Sequence, residues 1–289
     1  MNQPSILNFS VLWQYCAQRF PLPAYTVLVA IFFGSSQLVL LEGFGEGKQW
    51  LGGIVLWLVF FHLRIFDEFK DFEEDRWHYP ERVLSQGKIT LGVLGQLGII
   101  VIFLEAGLSY FLGSMVFFAW LGAFVFSVLM RIEFGASTWL QQNLLLYAIT
   151  HNPIVAALAI VAWACSGAVW SNQYLWYVLS VSIASLGFEL ARKIRQPNEE
   201  IAGVQSYTSV YGMTKSLMIL RLCTMISAFA AGMVLWEYHS NPWGWGILVV
   251  ATIIGLLPHK NAPAKKIELL STLFLLLSML AMGAGLYHH

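Results

Sequence analysis

Runs of about 20 predominantly apolar residues recur along most of this 289-residue chain, and they restrict its fold more than any other feature. A helix of that length crosses roughly 30 Å of hydrocarbon, where only helices and closed barrels can satisfy every backbone N–H and C=O. The runs predict an all-α, polytopic membrane helix bundle of about nine transmembrane helices. They lie near Ala24–Leu41, Trp50–Phe66, Leu91–Leu112, Met115–Met130, Leu144–Cys165, Tyr174–Phe188, Ser216–Trp236, Gly244–Leu257 and Ile267–Leu286. Charged residues are only 11% of the chain, against roughly a quarter in a soluble domain, too few to clothe a water-soluble surface. Aromatics reach 15%, with twelve Trp, as expected of rings at headgroup level or around an apolar pocket.

Lys and Arg fall mainly on one side of this bundle. With Arg19 ahead of the first span, the loops after spans 2, 4, 6 and 8 collect fourteen of the sixteen; Lys48 lies opposite and Arg221 within span 7. Positive charge marks the cytosolic side, so the N-terminus and these loops are expected in the cytosol and the C-terminus outside, in the cell (inner) membrane. The first span has no small-residue cleavage pattern and is expected to be retained. Cys16, Cys165 and Cys223 are too dispersed for a disulfide framework or a metal spacing and read as small buried hydrophobes. The absence of a basic stripe excludes a nucleic-acid binder.

The chemistry concentrates in the loops at 64–90 and 189–215, which share a layout and divide a single domain, 1–289, into two weakly similar halves. In the first, Asp67, Asp71 and Asp75 repeat every four residues, which stacks three carboxylates along one helical face. Such a row repels itself. Hard divalent cations offset that cost, and Mg²⁺ is typically held by one or two carboxylates together with substrate phosphates. The bland alternative is a solvated acidic loop.

The stretch continues Pro80-Glu-Arg82-Val-Leu-Ser-Gln-Gly87-Lys-Ile-Thr90. Together the two segments resemble the first signature of the UbiA superfamily of intramembrane prenyltransferases. That pattern is Asn-Asp, two residues, Asp, three residues, Asp, then an Arg-Pro and a Gly. It maps onto Asp67, Glu68, Asp71 and Asp75, followed by Arg82 and Gly87, with Val83 at the Pro. The second signature is an acid, three residues, an acid, Ala-Gly, Thr-Leu-Pro and Gly. Anchored on Ala202-Gly203 and Gly212, it puts an acid at Glu199, with Glu200 beside it, but the first acid's position falls on Arg195 or Gln196. Glu189 lies too far upstream to be a simple replacement.

The resemblance implies a UbiA-like bundle that transfers a prenyl group from a polyprenyl diphosphate to a lipophilic or aromatic acceptor. It implies Mg²⁺ on Asp67, Glu68, Asp71, Asp75 and Glu199. Arg82, Arg192, Lys193 and Arg195 would bind the diphosphate, since Arg offers a planar fork to phosphate oxygens and Lys a compact charge. The same cations also read as topology markers or as partners for the acids. His151, Asn152 and Tyr207 are candidate pocket residues; for His151-Asn152-Pro153 the alternative is a helix-to-helix hydrogen bond beside a Pro kink. Tyr211 and Trp77 also lie near the motifs.

Other polar groups in apolar runs are Glu105 and Arg221, which read as partners for one another. No histidine has zinc spacing. Gly43-Phe-Gly45-Glu-Gly47-Lys48 has a passing likeness to a phosphate loop but not the Walker spacing. Two other functions stay open: a sister activity such as polyprenyl-phosphate phosphoribosyl transfer, and a transporter with the acids as an ion vestibule. Acids crowded beyond a span end, not at the midplane, favour the enzyme over the transporter.

Overall fold

The computed structural model describes residues 8–41 and 47–287. Most of the glycine-rich stretch beginning at Gly43 lies outside them. The described chain is helical, without strands, and falls into two compact units. The first comprises residues 1–30 and 46–135, the second 31–45 and 136–289.

The first unit contains α1 (Phe9–Arg19), the start of α2 (Leu22–Leu41), α3 (Leu51–His78), α4 (Leu91–Leu112) and α5 (Ser114–Arg131). α3 buries Val55, Leu56, Val59, His62, Ile65 and Glu68 at helical spacing against its neighbours. It packs tightly on α4 because two glycines of α4 offer no side chain. A Cβ at Gly95 would come within 3.1 Å of the Phe69 ring, and one at Gly98 within 3.3 Å of Ile65. A Cβ at Gly92, by contrast, would meet only Thr90 Oγ1, at 3.7 Å. Thr90 caps α4 by accepting from the Val93 N–H at 3.3 Å. The 79–90 segment is not a solvated loop: Val83, Leu84 and Ile89 join Tyr15, Cys16 and Phe20 in the core.

Glu105 takes a different partner from the one expected. It accepts from His62 and from Trp120 Nε1 at 2.9 Å, joining α3, α4 and α5. Arg221 instead donates to the Pro258 carbonyl at 2.8 Å. Each group has a partner within its own unit: the carboxylate oxygens accept from buried N–H donors, and the guanidinium donates to a carbonyl past the end of a helix.

The second unit holds the rest of α2, α6 (Ser137–Gln141), α7 (Leu144–His151), α8 (Pro153–Ser166), α9 (Asn172–Arg192), α10 (Tyr207–Tyr211), α11 (Met213–Glu237), α12 (Pro242–Leu256) and α13 (Ala264–Leu286). Pro153 and Pro242 open their helices, where the missing N–H costs nothing. Buried hydroxyls tie α2 to α9, Ser35 to Tyr177 at 2.9 Å and Ser36 to Tyr174 at 2.8 Å.

Among the described residues seven helical segments are long and apolar enough to span a membrane, α7 and α8 counting as one. α12 is shorter, and α3 carries Arg64, Asp67 and Glu68 within its central part, so nine crossings remain an expectation. Phe103, Phe111, Phe118, Phe229 and Val249 point outward, which is the surface lipid requires. The chain is a multi-pass membrane protein.

Candidate metal and phosphate sites

The acids of α3 divide into two pairs. Asp67 and Asp71, one turn apart, have side chains 47% and 42% exposed, and the Lys70 ammonium stands 3.8 and 3.9 Å from them. Arg64 reaches Asp67 at 3.5 Å. The Lys70 distances exceed hydrogen-bond length, while the Lys70 and Arg64 side chains are themselves only 17% and 14% exposed. Burial pushes the Asp71 carboxyl up to about 6; Lys70 opposes this, while Asp67, Asp75 and Glu74 add to it.

Glu68 and Asp75 are held far more closely. Glu68 is buried, and its Oε1 accepts from Arg19 Nε at 2.6 Å, Arg64 Nε at 3.0 Å and Arg64 Nη2 at 2.9 Å. Asp75 Oδ2 accepts from Arg19 Nη2 at 2.9 Å and pairs with Arg82. Arg82, an expected diphosphate ligand, also lies 3.7 Å from the centre of the Tyr79 ring. Trp77, near the end of α3, is exposed.

In the second unit, Glu189 near the end of α9 draws in Arg192 at 2.8 Å and Lys193 at 3.0 Å. Lys193 stands 5.5 Å from the centre of the Tyr147 ring, which stacks on His151 with centroids 4.0 Å apart. Lys193 and His151 are thereby joined through one tyrosine. Asn152 donates to the Ser182 carbonyl at 3.0 Å, a helix-to-helix bond beside Pro153. Tyr207 is buried and donates to the Leu144 carbonyl at 3.2 Å; its ring stacks with Tyr211. The Arg195 amide donates to Thr208 Oγ1 at 3.0 Å.

Glu199 has work that the sequence does not disclose. Its Oε2 accepts the backbone N–H groups of Gln196 and Ala264, both at 3.0 Å, so it closes its own loop and caps the start of α13. Glu200 accepts from Ser206 Oγ at 2.5 Å. Among the described residues no three His, Cys, Asp or Glu side chains gather into a metal-holding group. The donors that fit a divalent ion are Asp67 and Asp71, two hard oxygens one turn apart with solvent access. In the sequence Arg19 and Lys70 read only as charges that mark one side of the membrane. Only Lys70 had a local signal, its place between two acids at helical spacing.

No protein-family profile and no curated protein matches the chain in sequence. A solved structure of digeranylgeranylglyceryl phosphate synthase, described in membranes, superimposes with a TM-score of 0.69 at 17% identity. The match covers 96% of this chain and 99% of that one. The chain has a UbiA-like fold.

Proposed function

We propose that this UbiA-like protein transfers a prenyl group from a polyprenyl diphosphate to a lipophilic or aromatic acceptor at the cytosolic face of the membrane. The observation that carries the reading is the Asp67–Asp71 pair, half exposed just past the apolar half of α3, on a fold shared along nearly the whole chain with a membrane synthase. Mg²⁺ held by these acids would neutralise charge developing on the departing diphosphate. In the second unit, Arg192 and Lys193 offer exposed cationic donors suited to phosphate oxygens, steadied by Glu189. The apolar helices supply the dry surroundings that protect an allylic cation from water.

A second reading has its own support. The position of the second signature's first acid is taken by Arg195 or Gln196, and Glu199 is spent on backbone N–H groups. Cations in place of an acid suit a substrate whose phosphate is held directly, as in transfer of phosphoribose to a polyprenyl phosphate. Purified protein supplied with Mg²⁺ and labelled prenyl diphosphates of several chain lengths distinguishes the two. A labelled lipid product that disappears with Asp71→Asn supports prenyl transfer. No product at any chain length, with label entering lipid from phosphoribosyl diphosphate instead, establishes the sister reaction.

A further inference from the structure

We infer that Arg19 serves as a built-in cation between Glu68 and Asp75, locking α1 onto the acidic half of α3, and that divalent metal is left to Asp67 and Asp71 alone. This rests on the reading of α3 as the metal-bearing helix. Glu68 and Asp75 are seven residues apart, two turns along one face, and a planar guanidinium reaches both through different nitrogens, Nε at 2.6 Å and Nη2 at 2.9 Å. Glu68 Oε1 already accepts three N–H donors, and Asp75 has Arg82 as a second cation. A metal ion entering there would have to expel a guanidinium that is itself 14% exposed and leave it buried without a counter-charge. The carboxylates of Asp67 and Asp71, by contrast, are 47% and 42% exposed, with the Lys70 ammonium 3.8 and 3.9 Å away.

The neighbours of Arg19 extend the lock. Gln18 Oε1 accepts from the Val83 N–H at 2.9 Å, holding the 79–90 segment. Phe20 is fully buried, stacked on Tyr25 and meeting Trp57 and Phe61. Three consecutive residues thus bind the loop after α3, its acidic half and its apolar half. Arg19 is therefore a positioning residue: it sets the angle at which Asp67 and Asp71 are presented without touching what they bind.

The test uses purified full-length protein in detergent, with Mn²⁺ as the probe, read by electron paramagnetic resonance alongside thermal unfolding and trypsin cleavage after Arg19. Asp67→Asn and Asp71→Asn should each weaken Mn²⁺ binding by about tenfold or more with the melting temperature and the protection at Arg19 unchanged. Glu68→Gln and Asp75→Asn should leave Mn²⁺ affinity within about threefold of the parent while lowering the melting temperature and exposing the bond after Arg19. Arg19→Gln, which removes the cleavage site itself, should match Glu68→Gln in melting temperature and Mn²⁺ affinity, and the double variant should melt little below either single one. Loss of Mn²⁺ binding in Glu68→Gln or Asp75→Asn, with unfolding and cleavage unaltered, overturns the inference. Failure of the parent protein to bind Mn²⁺ overturns the metal-bearing reading of α3 itself.

Discussion

His62 of α3 meets Glu105 of α4 through Nδ1, at 2.7 Å from one carboxylate oxygen and 3.0 Å from the other, with both side chains shielded from solvent. Ser127 of α5 lies 3.1 Å from the opposite ring nitrogen, and Trp120 donates to the same carboxylate. Three helices of the first unit are therefore held by a polar group that none could bury alone.

Removing one member strands the rest. Glu105→Ala leaves the His62 ring and the Trp120 N–H without an acceptor inside apolar helices and is expected to destabilise by about 3–5 kcal/mol. Glu105→Gln keeps an acceptor and should cost clearly less. Thermal unfolding in detergent checks the order; equal losses for the two variants would show that the network contributes packing only.

Asp71 makes divalent-ion binding sensitive to mild acid. Its carboxyl is raised from the ordinary 3.8 to about 6, mainly by burial. In the window between those values the folded state binds more protons than the unfolded chain, so this group favours folding increasingly as pH falls through about 6. Metal binding needs the ionised form and moves the other way, weakening about tenfold from pH 7 to pH 5. Mn²⁺ titrations across that range, with Asp71→Asn as the control, measure it. A midpoint near pH 4 would show that the carboxyl is unperturbed.

Glu199 distinguishes a cap from a metal ligand. Because it accepts from the Gln196 and Ala264 N–H groups, Glu199→Ala should lower stability by about 1–2 kcal/mol. Mn²⁺ affinity should not move. A parent-like melting temperature together with weakened Mn²⁺ binding would return Glu199 to the metal site.

Close approach of α12 and α13 depends on glycine. A Cβ at Gly244 would lie 2.6 Å from the Gly285 Cα and 2.9 Å from the Ala281 carbonyl oxygen, both backbone atoms that cannot swing aside. Gly244→Ala should therefore destabilise by about 1–3 kcal/mol. Gly107→Ala, where a Cβ meets nothing within 4 Å, should be neutral or stabilising through helix propensity. Parallel thermal melts decide; a neutral Gly244→Ala would show that the two helices can separate.

The helices were legible in the sequence because burial and lipid exposure impose a local repeat on each segment. The acids of α3 were legible for the same reason, as were the glycines of α4 that meet Phe69 and Ile65. For Asn152 a helix-to-helix bond was legible as one alternative, and its bond to the Ser182 carbonyl is made. His62 and Trp120 as the partners of Glu105 were not legible, because a linear pattern does not show which polar groups meet across helices.

By itself the sequence determined a multi-pass helical protein with Asp67, Asp71 and Asp75 in register on α3 and cations near the end of α9. These follow from local chemistry: apolar length, the 3.6-residue repeat and the sign of charge. Tertiary structure alone decided what each acid does. Arg19 reaches Glu68 across 49 residues and Asp75 across 56, and Glu199 caps Ala264 across 65. Those partners are selected by how α1 packs on α3 and how the α13 start meets its loop, and no periodicity along the chain encodes a distance through space. The row of like charges on α3 is thereby resolved into a tightly held pair and a loosely held one.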